Sequence, residues 1–184
     1  MTFKTAVLAF AAHVACASCA AGGIAGIVAL EESLPARAGG TFVETKTLSD
    51  MDVTLKSSGR WEFVKGESFT MDKLKPVKSS FTAMKDGYST TVRGATTTTL
   101  FRDIPMSAPL AALSGGDLDA ADRLFETKAV KGGFSLRPLD PDMASVVKTI
   151  SVFGGGEGAF TSKAKKVTIL YLSGDTVEIV FDED

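Results

Sequence analysis

The sequence predicts an α+β protein that is mainly β, with a long antiparallel meander, one helix before it and short helices inserted in its middle. The clearest observation is the alternation of apolar and polar residues over positions 53–63, where Trp61 and Phe63 share a face opposite charged residues. A period of two is typical of a half-buried antiparallel strand. Turn residues separate further β-rich segments, and leucines at helical spacing occupy residues 106–124. These features predict a sheet with one large apolar face.

The N-terminal half of the mature chain is predicted to form one helix and five strands. Apolar residues between Ile24 and Leu34 fall at helical spacing, and Pro35 ends the pattern. The threonine run at 96–99 is β-branched, which suits a strand. The predicted strands cover residues 41–48, 53–63, 68–74, 79–85 and 88–101, divided by turn or breaker residues at 49–50, 66, 75–76 and 86–87.

The C-terminal half is predicted to form two short helices and then five strands. The helices lie within 106–124, divided by a Ser-Gly-Gly step, and Asp117 is suited to cap the second. A helical turn through Met143, Val146 and Val147 is expected after Asp140. The predicted strands cover residues 125–130, 133–138, 150–153, 166–172 and 176–181, with turns at 131–132 and 173–175.

The first 21 residues have the pattern of a bacterial secretory signal peptide. Lys4 is followed by an apolar run that ends in small residues. A membrane anchor is the alternative, but glycines and the acids Glu31 and Glu32 interrupt the run before the roughly 20 apolar residues that a spanning helix needs. We therefore predict a signal peptide over residues 1–21, a mature domain over residues 22–184 and a periplasmic location.

The residue types left after removal of this leader argue against an enzyme. Both cysteines and the only histidine lie in the leader, at Cys16, Cys19 and His13. Most nucleophile-base pairs use His or Cys, so we expect no catalytic residues. Lipidation at Cys16 or Cys19 is a less favoured alternative, since neither has an aliphatic residue three positions before it. Hydrolysis of a lipid or glycan by carboxylates is also disfavoured, because a pair such as Asp50 and Asp52 is expected to lie in a turn.

The charges exclude several classes of partner. Twenty basic residues stand against 22 acidic ones, with a formal net charge of −2 and no basic stripe, so we expect no nucleic-acid binding. The acidic clusters at 117–122 and 182–184 lack the spacing of a calcium loop, so no metal or cofactor is expected. The glycine run at 154–156 leads into a strand, which predicts a hairpin connection and not a phosphate loop.

Aromatic and Met side chains concentrate on the predicted strands or at their ends. An ordinary sealed core between sheet and helices explains them well. The alternative is a cavity, because a strongly curved sheet packed on a few short helices often leaves one, as in barrels that hold apolar ligands. The side chains concerned are Phe42, Trp61, Phe63, Phe69, Met71, Phe81, Met84, Phe101 and Met106.

The order of several segments resembles the LolA-like outer-membrane lipoprotein carriers of Gram-negative bacteria. In that family a short helix precedes a strand of the form F-x-Q-x-K, here Phe42 to Lys46, followed by a leucine and a Ser-Gly step into an aromatic strand. Residues 107–126 resemble the family's helical insert, and residues 134–158 and 167–181 resemble its closing strands. The resemblance covers nearly the whole mature chain and lies in the order of its segments, not in one motif.

This resemblance implies an unclosed half-barrel sheet covered by short helices, with an apolar cavity for the acyl chains of lipoprotein or another lipid. It also implies that the chain, expected to be a monomer, receives cargo from an inner-membrane exporter and delivers it to an outer-membrane receptor. The cavity wall would consist of Phe42, Leu55, Trp61, Phe63, Phe69, Met71, Phe81, Met84, Phe101, Leu110 and Leu113.

Three positions differ from the family pattern. Glu44 stands where the family usually has Gln, and Met71 where it usually has Trp. Lys65 aligns with a strand Arg that helps to hold the lid of characterised carriers, so the resemblance implies a role for Lys65 in the lid or in cargo release. Lys lacks the forked donor geometry of Arg. A non-transporting envelope sensor or protein-binding scaffold of the same fold, its cavity filled by its own side chains, is the alternative function.

Overall fold

Eleven strands and one short helix account for most of the chain that the computed structural model describes, which comprises residues 36–64, 67–84, 87–100, 125–154 and 164–183. The strands are β1 (Arg37–Leu48), β2 (Val53–Val64), β3 (Ser68–Lys75), β4 (Ser79–Met84), β5 (Gly87–Val92), β6 (Ala95–Leu100), β7 (Phe125–Val130), β8 (Gly133–Pro138), β9 (Val147–Gly154), β10 (Ala164–Tyr171) and β11 (Thr176–Glu183). The helix, α1, covers Pro141–Ala144. The predicted signal peptide and the helices predicted at 24–34 and 106–124 lie outside the described residues.

The strands form one antiparallel sheet in which the first and last strands are neighbours. Its order is β6-β5-β4-β3-β2-β1-β11-β10-β9-β8-β7. In the described part of the chain the edge strands β6 and β7 do not pair with each other, so the sheet stays open. The mainly-β class, the antiparallel pairing and the unclosed half-barrel expected from the sequence are confirmed.

One predicted strand is wrong. The segment 88–101 was expected to be continuous, but it forms β5 and β6, which pair with each other across a turn at Arg93 and Gly94. Both turn residues have positive φ, at 53° and 81°, as the favoured two-residue hairpin turn requires. Threonines on both sides of this turn give a uniform β-forming pattern, and Arg is an uncommon residue at the first turn position, so the pattern conceals the reversal.

The helical turn after Asp140 is shorter than the sequence predicts. The Asp140 carboxylate accepts a hydrogen bond from the Met143 backbone N–H at 2.9 Å and caps α1. The helix ends at Ala144, and β9 already begins at Val147, which is paired with Tyr171 on β10. Cross-strand pairing of this β-branched residue therefore prevails over its helical spacing.

The pleat places most large apolar side chains on one side of the sheet, which we call the inner face. Directly opposed residues of an antiparallel pair share a face, so the register extends this face across neighbouring strands. Phe42 on β1 lies between Gly59 and Phe181, and Met71 lies between Trp61 and Phe81. The buried side chains of this face include Phe42, Phe63, Phe69, Met71, Phe81, Ile150, Val167, Ile169, Val177, Ile179 and Phe181.

The connection between β1 and β2 is tied to the connection between β10 and β11. The Ser49 backbone N–H donates to Asp175 Oδ1 at 3.1 Å, and Ser49 Oγ donates to the Ser173 carbonyl oxygen at 2.8 Å. Asp50 lies in the 3-10 turn Ser49–Met51 and Asp52 directly follows it, which confirms that these acids belong to a turn.

Helices long and apolar enough to cross a membrane are absent from the described residues.

Candidate functional site

An aromatic cluster centred on Trp61 combines side chains from three strands, β2, β3 and β11, on the inner face. The Trp61 ring stacks on Phe69 with centroids 6.3 Å apart, and it makes an edge-to-face contact with Phe181 with centroids 5.8 Å apart. Its Nε1–H donates to the Asp182 carbonyl oxygen at 3.3 Å. Gly40 lies opposite Trp61 on β1 and has no side chain, so the indole can reach across β1 to β11. The cluster joins the two halves of the sheet through an apolar surface.

Most of the described candidates for the cavity wall come together on the inner face. Trp61 is partly buried there, beside the buried side chains of Phe42, Phe63, Phe69, Met71 and Phe81. Leu55 belongs to the same face by its register, but 51% of it is exposed. Met84 is partly buried and opposes Ser68 and Gly87, which places it on the other face of β4. Lys65, Phe101, Leu110 and Leu113 lie outside the described residues.

A partly buried ion pair, in which the Lys73 side chain is 27% exposed, interrupts this apolar surface. Glu44, two residues after Phe42 on β1, has a side chain that is only 9% exposed. Its Oε1 accepts hydrogen bonds from Lys73 Nζ at 2.6 Å and from Ser57 Oγ at 3.2 Å. Burial of a carboxylate is costly unless a positive charge and hydrogen bonds compensate for it, and Lys73 and Ser57 supply both to Oε1.

Gly59 makes the approach of Lys73 possible. The register between β2 and β3 shifts from the pair Ser58–Lys75 to the pair Gly59–Lys73, so Leu74 is an extra residue in β3. A Cβ atom at position 59 would lie 1.8 Å from the Asp72 carbonyl oxygen. The close approach of β3 therefore requires glycine, and it lets the Lys73 side chain cross β2 to reach β1.

Tyr171 adds a further buried polar group to the same sheet. Burial raises the pKa of the Tyr171 hydroxyl far above its ordinary value, and the negative charges of Glu44 and Asp175 act in the same direction. The phenol is therefore neutral at physiological pH.

The described residues contain no group of three or more His, Cys, Asp or Glu that could hold a metal ion.

The sequence contains a signal for this polar cluster, although the family resemblance marks Glu44 only as a difference and does not mark Lys73. Yet Phe42 and Glu44 alternate on β1, as Met71 and Lys73 alternate on β3, so a period of two places both charges on the apolar face. The bulge that brings the two together has no comparable sequence signal.

Comparison with solved structures identifies the fold class. The chain matches a domain described as outer membrane lipoprotein-sorting from Vibrio parahaemolyticus with a TM-score of 0.51 and 10% identity, over 88% of this chain and 90% of that one. It also matches a LolA superfamily protein from Nitrosomonas europaea (TM-score 0.49, 6% identity, 88% and 92% covered) and a DUF1329 family protein from Desulfovibrio piger (0.49, 10%, 84% and 88%).

At these identities a structural match shows the fold alone, and the fold of this chain is LolA-like. No family model matches the sequence. No curated protein is significantly similar to it.

Proposed function

We propose that this chain is a periplasmic carrier that binds acyl chains of a lipid or lipoprotein on its inner face and moves them towards the outer membrane. The observation that supports this most is the aromatic and Met surface of the inner face, on an open sheet with a LolA-like fold. The chain performs no chemistry on its cargo in this proposal. Its partners are an inner-membrane exporter and an outer-membrane receptor.

The energetics of acyl burial fit such a surface. Each methylene removed from water contributes ~0.8 kcal/mol, so a dozen of them contribute ~10 kcal/mol before the cost of association. Because this driving force is not directional, a wall formed by Trp61, Phe63, Phe69 and Met71 needs few polar contacts to hold a chain. Release then depends on a receptor site that competes for the same acyl surface.

The inner face must open before a lipid can enter. Phe42 and Phe69 are each 1% exposed and Met71 is 2% exposed, so the protein's own atoms already cover them. A carrier with this structure exchanges these internal contacts for contacts with the acyl chain. The same burial favours a second candidate function, a non-transporting sensor or scaffold in which the inner face is a permanent core and the surface binds a protein.

A titration with a fluorescent fatty-acyl probe separates the two functions. The carrier predicts saturable binding that an unlabelled acyl lipid reverses, and a decrease in Trp61 fluorescence if the probe quenches the indole, since Trp61 is the only tryptophan in the chain. The scaffold predicts neither signal. Absence of both signals at probe concentrations that saturate a known acyl-binding protein would reject the carrier.

A further inference from the structure

Only one of the two carboxylate oxygens of Glu44 accepts hydrogen bonds from the described residues. Oε1 accepts from both Lys73 and Ser57. Oε2 is buried and has no hydrogen-bond partner in the part of the chain that the structure describes. A buried acceptor without a donor is unfavourable, and native structures retain few of them without a reason.

The position of this oxygen relates it to the proposed acyl surface. Glu44 lies at the middle of β1, with Ile179 opposite it on β11 and Ser57 opposite it on β2. Phe42, almost fully buried, is the next side chain on the same face of β1. Glu44 therefore borders the aromatic side of the inner face, and its buried Oε2, like that surface, meets a lipid head group only when the face opens.

The contact between Lys73 and Glu44 depends on a specific backbone feature, the bulge beside Gly59. The bulge at Gly59 brings Lys73 across an intervening strand to Oε1, and a side chain at position 59 would collide with the backbone of Asp72. A buried ion pair is often no more stable than an apolar pair of similar volume. Stability alone therefore gives a weak reason for this arrangement, whereas fixing one oxygen while the other is left without a donor gives a functional reason.

We infer that Glu44 Oε2 accepts a hydrogen bond from a neutral donor at the head of the bound acyl group, either an amide N–H or a hydroxyl. This inference rests on the proposed function, because it names the ligand class that the same face selects. The carboxylate favours a donor over an ester, which offers acceptor atoms only. An anionic oxygen also forms stronger hydrogen bonds than a neutral one.

The test compares three palmitoyl ligands that differ only in the head group. Monopalmitoylglycerol offers hydroxyl donors, N-methylpalmitamide offers an amide N–H, and methyl palmitate offers no donor. Each displaces a fluorescent acyl probe from the wild-type protein, and dissociation constants follow from the displacement curves. We expect at least one donor ligand to bind about tenfold tighter than methyl palmitate, the effect of one hydrogen bond to a charged group. The tighter donor identifies the source as a glycerolipid hydroxyl or an acylated amine.

Two variants connect this preference to Glu44. Glu44→Gln keeps the shape of the side chain but replaces one acceptor oxygen by an NH2 donor. Donor ligands and methyl palmitate should then bind with about equal dissociation constants. Val43→Ala is the control, because Val43 is 49% exposed on the opposite face of β1 and does not contact the polar cluster, so the preference should persist. If Glu44→Gln fails to fold, the ratio of the dissociation constants of methyl palmitate and the donor ligands, measured on the wild-type protein, still tests the inference. A ratio of about one would reject it.

The outcomes separate this inference from the proposed function. Equal binding of all three ligands would reject the role of Glu44 and leave acyl binding intact. Persistence of the donor preference in a folded Glu44→Gln variant would reject it as well. If the probe itself does not bind, the carrier function fails, and the inference about Glu44 fails with it.

Discussion

Lys73 Nζ lies 2.6 Å from Glu44 Oε1, although the strands that carry these two residues are separated by β2. The ammonium reaches the carboxylate over Gly59, the β2 residue paired with both Lys73 and Phe42. The absence of a side chain at one position of the middle strand thus determines the polar geometry of the inner face.

Gly59→Ala should destabilise the fold. The new Cβ would lie 1.8 Å from the Asp72 carbonyl oxygen, so the backbones of β2 and β3 must separate. We expect the free energy of unfolding, measured by urea denaturation, to fall by about 2 to 3 kcal/mol. Gly39→Ala is the matched control, because its Cβ would meet its nearest atom, the Trp61 carbonyl oxygen, at 3.1 Å and should cost less. Equal losses in the two variants would contradict the close approach at Gly59.

Lys73→Met should destabilise the protein by removing the cation from a buried pair. The buried Glu44 carboxyl group would then lack its compensating cation, and we expect a loss of about 3 kcal/mol in the free energy of unfolding. The double variant Glu44→Gln with Lys73→Met should regain most of it, since no net charge remains buried.

Lys166→Met is the control for that experiment. Its ion pair with Glu178 has the same 2.6 Å distance, but the two side chains are 41% and 42% exposed. Exposed pairs contribute less than about 1 kcal/mol, so this variant should stay close to the wild type. If Lys73→Met were as stable as Lys166→Met, Glu44 and Lys73 would not behave as a buried pair in solution.

Tyr171 should make stability fall at alkaline pH. Burial, together with the charges of Glu44 and Asp175, raises the pKa of Tyr171 in the folded protein. The folded state keeps its phenolic proton where an unfolded chain, with a phenol pKa of about 10, releases it. This contribution to the free energy of unfolding is therefore present below about pH 10 and is lost as the pH rises further.

The measurement compares urea unfolding of the wild type and Tyr171→Phe at about pH 8 and about pH 11, on either side of the ordinary phenol pKa. Lysines titrate in both proteins, so only the difference between them reports on Tyr171. The free energy of unfolding should fall less with pH in Tyr171→Phe. An identical fall in both proteins would show that the hydroxyl is accessible to solvent when folded.

Residue alternation predicted the position of much of the inner face, because a period of two needs only local information. Alternation did not predict burial where the extent of the neighbouring strand determines it. Leu55 follows the alternation of β2, but β3 pairs with β2 only from Ser58 onwards, so the hairpin end that carries Leu55 extends beyond its neighbour. Met84 is a different case: it lies three residues after Phe81, so alternation along β4 already places it on the opposite face, as the register with Ser68 shows.

The polar cluster was harder to predict for the same reason. Alternation places Glu44 and Lys73 on the apolar face, but their contact depends on a bulge that shifts the register between two strands. A bulge depends on how the backbones of two strands pack against each other. In the sequence it is indicated here only by one glycine, Gly59, between Ser58 and Arg60. The turn at Arg93 and Gly94 was concealed by similarly uninformative neighbours.

Trp61→Glu should abolish binding of acyl ligands if the inner face holds them. A carboxylate beside Phe69 and Phe181 would replace apolar contact area with a charge that resists burial. Val43→Glu is the control, because Val43 is 49% exposed and lies between Phe42 and Glu44 on β1, facing away from them. Circular dichroism of both variants verifies folding. Unchanged acyl binding in a folded Trp61→Glu protein would remove Trp61 from the site.

The carrier function is tested most directly by native mass spectrometry of the protein purified from the periplasm without added lipid. Our account predicts a fraction of molecules with an additional mass that dissociates as an acylated species, and loss of that mass in Trp61→Glu but not in Val43→Glu. Detection of the apo mass alone, in protein that also fails to bind a fluorescent acyl probe, would contradict the account and favour a scaffold with a sealed inner face.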